Sequence, residues 1–206
     1  RAMSSAGEPL NPEVIRFFQE HLGVTIHDHY GLSETLMLIG NLNAAAMDIR
    51  PGSMGCPLPG FDIALLGEDG TPVADGEVGQ IAFNIDSIPN VFKGYWKDPE
   101  KTAERLVGRW FLTGDLANKD EDGYFWFQGR ADDIISSAGY RIGPFEIESC
   151  LLEHPAVVEA AAVGKPDPIK GEIVKAFVVL KEGYAPSDEL AEELSLFVKT
   201  RLSKHE

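Results

Sequence analysis

Three short strings hold the side chains best suited to work on a phosphate ester. In Tyr30-Gly31-Leu32-Ser33-Glu34-Thr35 one carboxylate stands between two hydroxyls. Glu34 could hold a hard cation through oxygen, Ser33 and Thr35 could donate to phosphate, and Tyr30 offers a ring face for stacking. The same hydroxyl cluster could equally be a helix cap. Trp110-Phe111-Leu112-Thr113-Gly114-Asp115 runs apolar up to a Gly-Asp, where an aspartate could accept hydrogen bonds from ribose hydroxyls. The third string, residues 129–148, mixes Arg130, Asp132, Asp133 and Arg141 with Ile134-Ile135 and with Gly129, Gly139 and Gly143. Planar guanidinium groups suit phosphate or ribose oxygens, and glycine lets backbone come close to a ligand. A salt-bridged turn between two domains is the plainer reading of that composition.

These side chains need elements to place them. Asn11-Pro12-Glu13 starts a helix: Asn11 caps, Pro12 suits the first position and Glu13 favours the positive end. Val14, Phe17, Phe18 and Leu22 give it an apolar stripe expected to be buried, and Gly23 ends it. Ahead of it, residues 5–9 read as a loop, with no identifiable strand. Residues 24–28 read as a short buried strand that delivers Tyr30 to Thr35 at its carboxyl end, where open α/β sheets bind ligands. From 49 to 127 short strands alternate with Gly/Pro turns: 61–66 before Gly67-Glu68-Asp69-Gly70, then 80–85 and 124–127. Asp98 opens a short helix there. Asp120-Glu121-Asp122-Gly123 lacks the spacing and downstream glutamate of a calcium loop and reads as a turn. After Gly143-Pro144 come a helix with Ile147, Cys150 and Leu151 inside, apolar strands over 157–163 and 173–180, and a helix started by Pro186-Ser187-Asp188-Glu189. His154 is expected as a helix-end residue.

Composition narrows the classes. The 206 residues suffice for one large domain or two small ones, and 44% of them are apolar. No apolar run approaches the roughly 20 residues of a membrane span. The first ten residues lack the apolar core of a secretory signal. Cys56 and Cys150 are too few for a disulfide scaffold, so a reducing cytoplasm is expected. The 33 acidic against 18 basic residues give a formal charge of −15, which argues against nucleic acid and anionic membranes as partners. A polyanionic ligand would have to be held by a few local cations.

In their order along the chain the three strings resemble the core motifs and hinge of the acyl-adenylate-forming enzymes, a superfamily of acyl-CoA synthetases, peptide adenylation domains and luciferases. The Gly139-Tyr140-Arg141-Ile142-Gly143-Pro144-Phe145-Glu146 wording is most similar to short- and medium-chain acyl-CoA synthetases. The resemblance covers essentially the whole chain. It implies an α/β (α+β) fold. Residues 1–129 would be the later part of a large nucleotide- and acyl-binding domain, with a small β-barrel-like subdomain at about 49–127. Residues 130–133 would form a hinge, and 134–206 a small mobile domain, incomplete.

It also implies AMP-forming ligation of a fatty or other small carboxylic acid to CoA, with ATP, CoA and Mg²⁺ as cofactors. By motif position, Gly7, Glu8 and Pro9 would lie against adenine, with Asp28, Tyr30, Gly31 and Thr35 also lining the nucleotide site. Ser33 and Glu34 would serve the phosphates, Glu34 through the metal. Asp115 and Arg130 would hold the ribose, and Asp132 would be the pivot of a rotation between half-reactions. Ala138, Gly139 and Tyr140 would then approach the pantetheine, with Arg141 on a phosphate. Acetate-specific relatives carry a tryptophan where this chain has Gly31, so the acyl chain is expected to be longer than acetate.

The superfamily's glycine-rich phosphate loop and its catalytic lysine have no match here, so the 206 residues alone are expected not to form acyl-adenylate. An amino-acid-activating domain, and a non-catalytic nucleotide-binding module, are the alternative readings. A homodimer is left open.

Overall fold

The computed structural model describes residues 3–42, 47–87 and 93–202; residues 1–2, 43–46, 88–92 and 203–206 lie outside them. The chain forms two compact units, residues 1–127 and 128–206.

The first unit opens with strand β1 (Met3–Ala6), which pairs in parallel with β2 (Ile26–Leu32). Helix α1 (Pro12–Leu22) joins them. Asn11 caps it by accepting from the Glu13 amide at 2.8 Å, and Gly23 closes it in the left-handed conformation, φ 62°. The apolar stripe expected to be buried is not: Ile15 is the buried residue of this helix, while Phe17 and Leu22 are 54% and 61% exposed. Residues 5–9 also differ from the loop expected, because Ser5 and Ala6 continue β1 alongside Asp28 and His29. Strands β3 (Leu36–Gly40) and β4 (Cys56–Pro57) complete this sheet, in the order β1-β2-β3-β4.

The segment 49–127 carries a five-stranded antiparallel sheet. It is built from β5 (Ile63–Leu66), β6 (Val78–Asn84), β7 (Leu106–Val107), β8 (Trp110–Lys119) and β9 (Phe125–Arg130). Its order is β5-β6-β8-β7, with β9 on β8, and helix α2 (Pro99–Glu104) precedes β7. Leu38, Ile39, Met54, Ile81, Phe83, Phe111 and Phe125 form one core shared by the two sheets. Arg50 ties the loop before β4 to the β8–β9 turn: it pairs with Asp120 at 2.8 Å and with Asp122 at 2.5 Å, and lies 4.1 Å over the Tyr124 ring. The acidic turn is thus a cation-bound clasp made by the protein's own arginine.

In the second unit a four-stranded sheet runs β11-β10-β13-β12, from β10 (Ile135–Ser137), β11 (Tyr140–Ile142), β12 (Val157–Asp167) and β13 (Gly171–Leu180). Helices α3 (Pro144–Leu152) and α4 (Asp188–Arg201) pack on it through Ile147, Cys150, Leu151, Leu194 and Val198. His154 ends α3 as expected: it is buried, and its Nδ1 accepts from the Ala156 amide at 3.2 Å.

Candidate active site

The parallel register sets the site. Ala6 lies opposite His29, so the Gly7-Glu8-Pro9 loop leaves β1 at the same sheet end where Tyr30 and Gly31 leave the core. Gly7 has φ 104°, a torsion that side-chain-bearing residues rarely adopt. Asp28, one step earlier on β2, is buried and accepts hydrogen bonds from the amides of His29 (3.0 Å) and Leu10. Burial pushes its carboxyl up to about 6, against the pull of those two amides. His29 is held below the usual imidazole range, first by burial and then by His27. Its Nδ1 is packed over Gly40, where an added Cβ would come within 2.5 Å.

The turn that follows is a tight hairpin. Leu32 and Leu36 pair across Ser33-Glu34-Thr35, and Leu36 takes φ 60° to close it. Thr35 braces this turn from inside: its hydroxyl donates to the Leu36 carbonyl at 3.0 Å and accepts from the Leu32 amide at 3.3 Å. That engagement takes its proton, so of the two flanking hydroxyls it is the exposed Ser33 that faces outward as a donor. The register shifts between Tyr30 and Gly31, and β3 there runs so close that a Cβ on Gly31 would lie 1.8 Å from the Leu36 carbonyl oxygen. In this chain the hairpin is closed around a glycine at 31.

Asp115 reaches the same place from the other sheet. Gln80 pairs with Leu116 and Ala82 with Leu112, so Thr113, Gly114 and Asp115 face Ile81 alone. Gly114, at φ 87°, makes this bulge possible, and Thr113 stitches it by donating to Ile81 O at 2.9 Å and accepting from the Asp115 amide at 3.1 Å. The bulge aims the buried Asp115 carboxylate at β2, where its Oδ2 accepts from the Tyr30 hydroxyl at 2.7 Å. Two of the three strings therefore meet, 85 residues apart in sequence. Glu34 has a partner that the sequence did not suggest: the Tyr95 hydroxyl donates to its Oε1 at 2.8 Å. Burial, and then the Glu34 carboxylate, push the Tyr95 phenol up.

The third string belongs to the second unit. Arg130 pairs with Asp132 through two parallel bonds, Nε to Oδ1 at 2.9 Å and a terminal nitrogen to Oδ2 at 3.1 Å. Ala138 and Gly139 form the two-residue turn between β10 and β11, with φ 49° and 86°. Tyr140 and Arg141 follow on β11, both exposed.

A glycine-bearing loop after a parallel strand, a carboxylate–hydroxyl turn and a buried aspartate thus come together at one end of the first unit. Residues 1–96 match the AMP-binding enzyme family model and residues 146–206 that of the AMP-binding enzyme C-terminal domain. Over 95% of its length the chain is 53% identical to the uncharacterized acyl–CoA ligase YtcI of Bacillus subtilis (strain 168), covering 36% of that protein. It is 48% identical, over its whole length, to the acetyl-coenzyme A synthetase of the same organism, again covering 36%. Among solved structures, 99% of the chain superposes on 40% of an ATP-bound RpMatB-BxBclM chimera, at 41% identity and a TM-score of 0.91. The chain belongs to the AMP-binding, adenylate-forming enzyme family, and spans about a third of the length of the curated relatives it matches.

Proposed function

We propose that this chain carries the ribose- and phosphate-facing part of an AMP-forming carboxylate–CoA ligase. In the first half-reaction a carboxylate oxygen attacks the α-phosphorus of ATP, the bond to the β-phosphate breaks and pyrophosphate leaves. In the second, the CoA thiol attacks the acyl carbonyl, loses its proton, and AMP departs. The observation that carries this reading is the 2.7 Å bond between Tyr30 and Asp115. It sets a buried carboxylate beside the turn that presents Ser33 and Glu34, an arrangement suited to the sugar and phosphates of one nucleotide.

The donor set suits magnesium bound through substrate. Among the described residues no group of three or more His, Cys, Asp or Glu side chains could hold a metal alone. Magnesium asks for less: one or two carboxylates, with phosphate and water supplying the remainder. Glu34 is that carboxylate, and the ion bound with ATP supplies charge neutralisation on the phosphates. Ser33 donates to a phosphate oxygen, Asp115 and Arg130 hold the ribose hydroxyls, and the Gly7–Pro9 loop, Asp28 and Tyr30 flank the base. Asp132 acts as pivot of the 130–133 hinge. Ala138, Gly139, Tyr140 and Arg141 then serve the thioester half-reaction.

The acyl chain is longer than acetate. What supports this is the resemblance: Gly31 stands where acetate-specific relatives carry a tryptophan. Among the described residues no helix is long and apolar enough to cross a membrane. The test is CoA-dependent AMP release by the full-length gene product over straight-chain acids from acetate to octanoate. Turnover should peak beyond acetate, and a peak at acetate would overturn the chain-length reading. Acid-dependent AMP release indifferent to CoA would overturn the ligase reading.

A further inference from the structure

Glu34 stands at the tip of a short turn on a three-torsion side chain, yet its carboxylate has a fixed neighbour. Among the described residues the Tyr95 hydroxyl is the hydrogen-bond donor to it, at 2.8 Å and across 61 residues of sequence. Tyr95 is itself held at both backbone atoms. Its amide donates to Thr102 Oγ1 at 2.9 Å, and its carbonyl accepts from the Asp98 amide at 3.2 Å. Asp98 in turn caps α2 by accepting from the Lys101 amide at 2.9 Å, and the Thr102 hydroxyl donates back to Asp98 O at 2.9 Å. The phenol is therefore anchored to a capped helix through a stiff ring with two torsions, and it presents one proton to one oxygen of Glu34.

We infer that Tyr95 is a positioning residue for the phosphoryl step, fixing Glu34 Oε1 so that Oε2 faces the cation and triphosphate. The inference rests on the proposed role of Glu34. A carboxylate that must meet a metal gains from a partner that restricts its orientation, and losing such a partner typically weakens metal affinity or activity about 10–100-fold. Nothing in the sequence near Tyr95 marks it, since its neighbours Gly94, Trp96 and Lys97 carry no catalytic pattern.

The test uses the full-length gene product, with Mn²⁺ as the probe, read by electron paramagnetic resonance in the presence of ATP. Tyr95→Phe keeps the ring and removes the hydroxyl. It should weaken Mn²⁺ binding about tenfold and lower kcat for acid-dependent ATP–pyrophosphate exchange by a similar factor, with KM for the acid unchanged. Glu34→Gln is the control for the underlying reading. If it binds Mn²⁺·ATP like wild type, the role of Glu34 fails and this inference with it. If it loses the metal while Tyr95→Phe binds Mn²⁺ like wild type, only the inference is overturned. Should the phenylalanine variant melt early, Thr102→Val, which removes the anchor of the Tyr95 amide and leaves its hydroxyl, should move Mn²⁺ affinity in the same direction; unchanged affinity there also overturns the inference.

Discussion

Asp28→Asn should stabilise the protein at pH 8 and lose that advantage in acid. Asp28 is buried, and its carboxyl is raised from 3.8 to about 6. At about 1.4 kcal/mol for each tenfold change in proton affinity, this rise amounts to about 3 kcal/mol of disfavour for the ionised form in the folded state. The sign follows from proton counting. Between pH 4 and 6 the folded state holds the proton that the unfolded state has released, so the contribution is fully present below 3.8 and is lost as pH rises through 6. Asparagine keeps one acceptor oxygen where the carboxylate has two to share between the His29 and Leu10 amides, which returns about 1 kcal/mol of the gain. The net gain at pH 8 should be about 2 kcal/mol. Urea unfolding of both proteins from pH 4 to 8 reads it out. His29, held low, titrates in the opposite sense, but it is present in both proteins and to first order cancels in the difference. A difference between the two proteins that stays constant across this range would refute the assignment of a buried, protonatable Asp28.

Two further substitutions test the local geometry. Gly31→Ala should cost about 3 kcal/mol or more in thermal unfolding, because its Cβ would meet backbone, 1.8 Å from the Leu36 carbonyl oxygen; a variant that melts like wild type would mean that β3 does not approach as described. Ala138→Asn should raise stability by up to about 1 kcal/mol, since φ 49° in a two-residue turn suits asparagine far better than alanine, and a loss of stability would contradict that turn.

What could be read along the chain was whatever is encoded within a turn or two. Asn11, Pro12 and Gly23 bracket α1 because capping and left-handed closure are local, and Asp98 and Ser187 cap their helices for the same reason. The apolar stripe of α1 was legible, but periodicity reports which face is apolar and says nothing of what covers it, hence exposed Phe17 and Leu22. Strand β1 has no apolar alternation in Met3-Ser4-Ser5-Ala6, and is a strand because β2 lies beside it. The same limit applies to the site. Motif order pointed to Tyr30, Glu34 and Asp115 individually. The bulge at Thr113–Asp115 depends on a register with β6, and the Tyr95–Glu34 bond spans 61 residues, so neither has a local signature. Thr35 looked like a phosphate donor by type, and only the hairpin reveals that its hydroxyl is already spent on Leu32 and Leu36.

The most direct test of the central claim is acid-dependent ATP–pyrophosphate exchange by the full-length gene product, wild type against Asp115→Ala. Exchange should require a carboxylic acid and fall by about a hundredfold or more in the variant, which loses the carboxylate proposed to hold the ribose and, with it, the bond that holds Tyr30. Exchange without any acid, or a folded Asp115→Ala enzyme that exchanges like wild type, would contradict a site built around Tyr30 and Asp115.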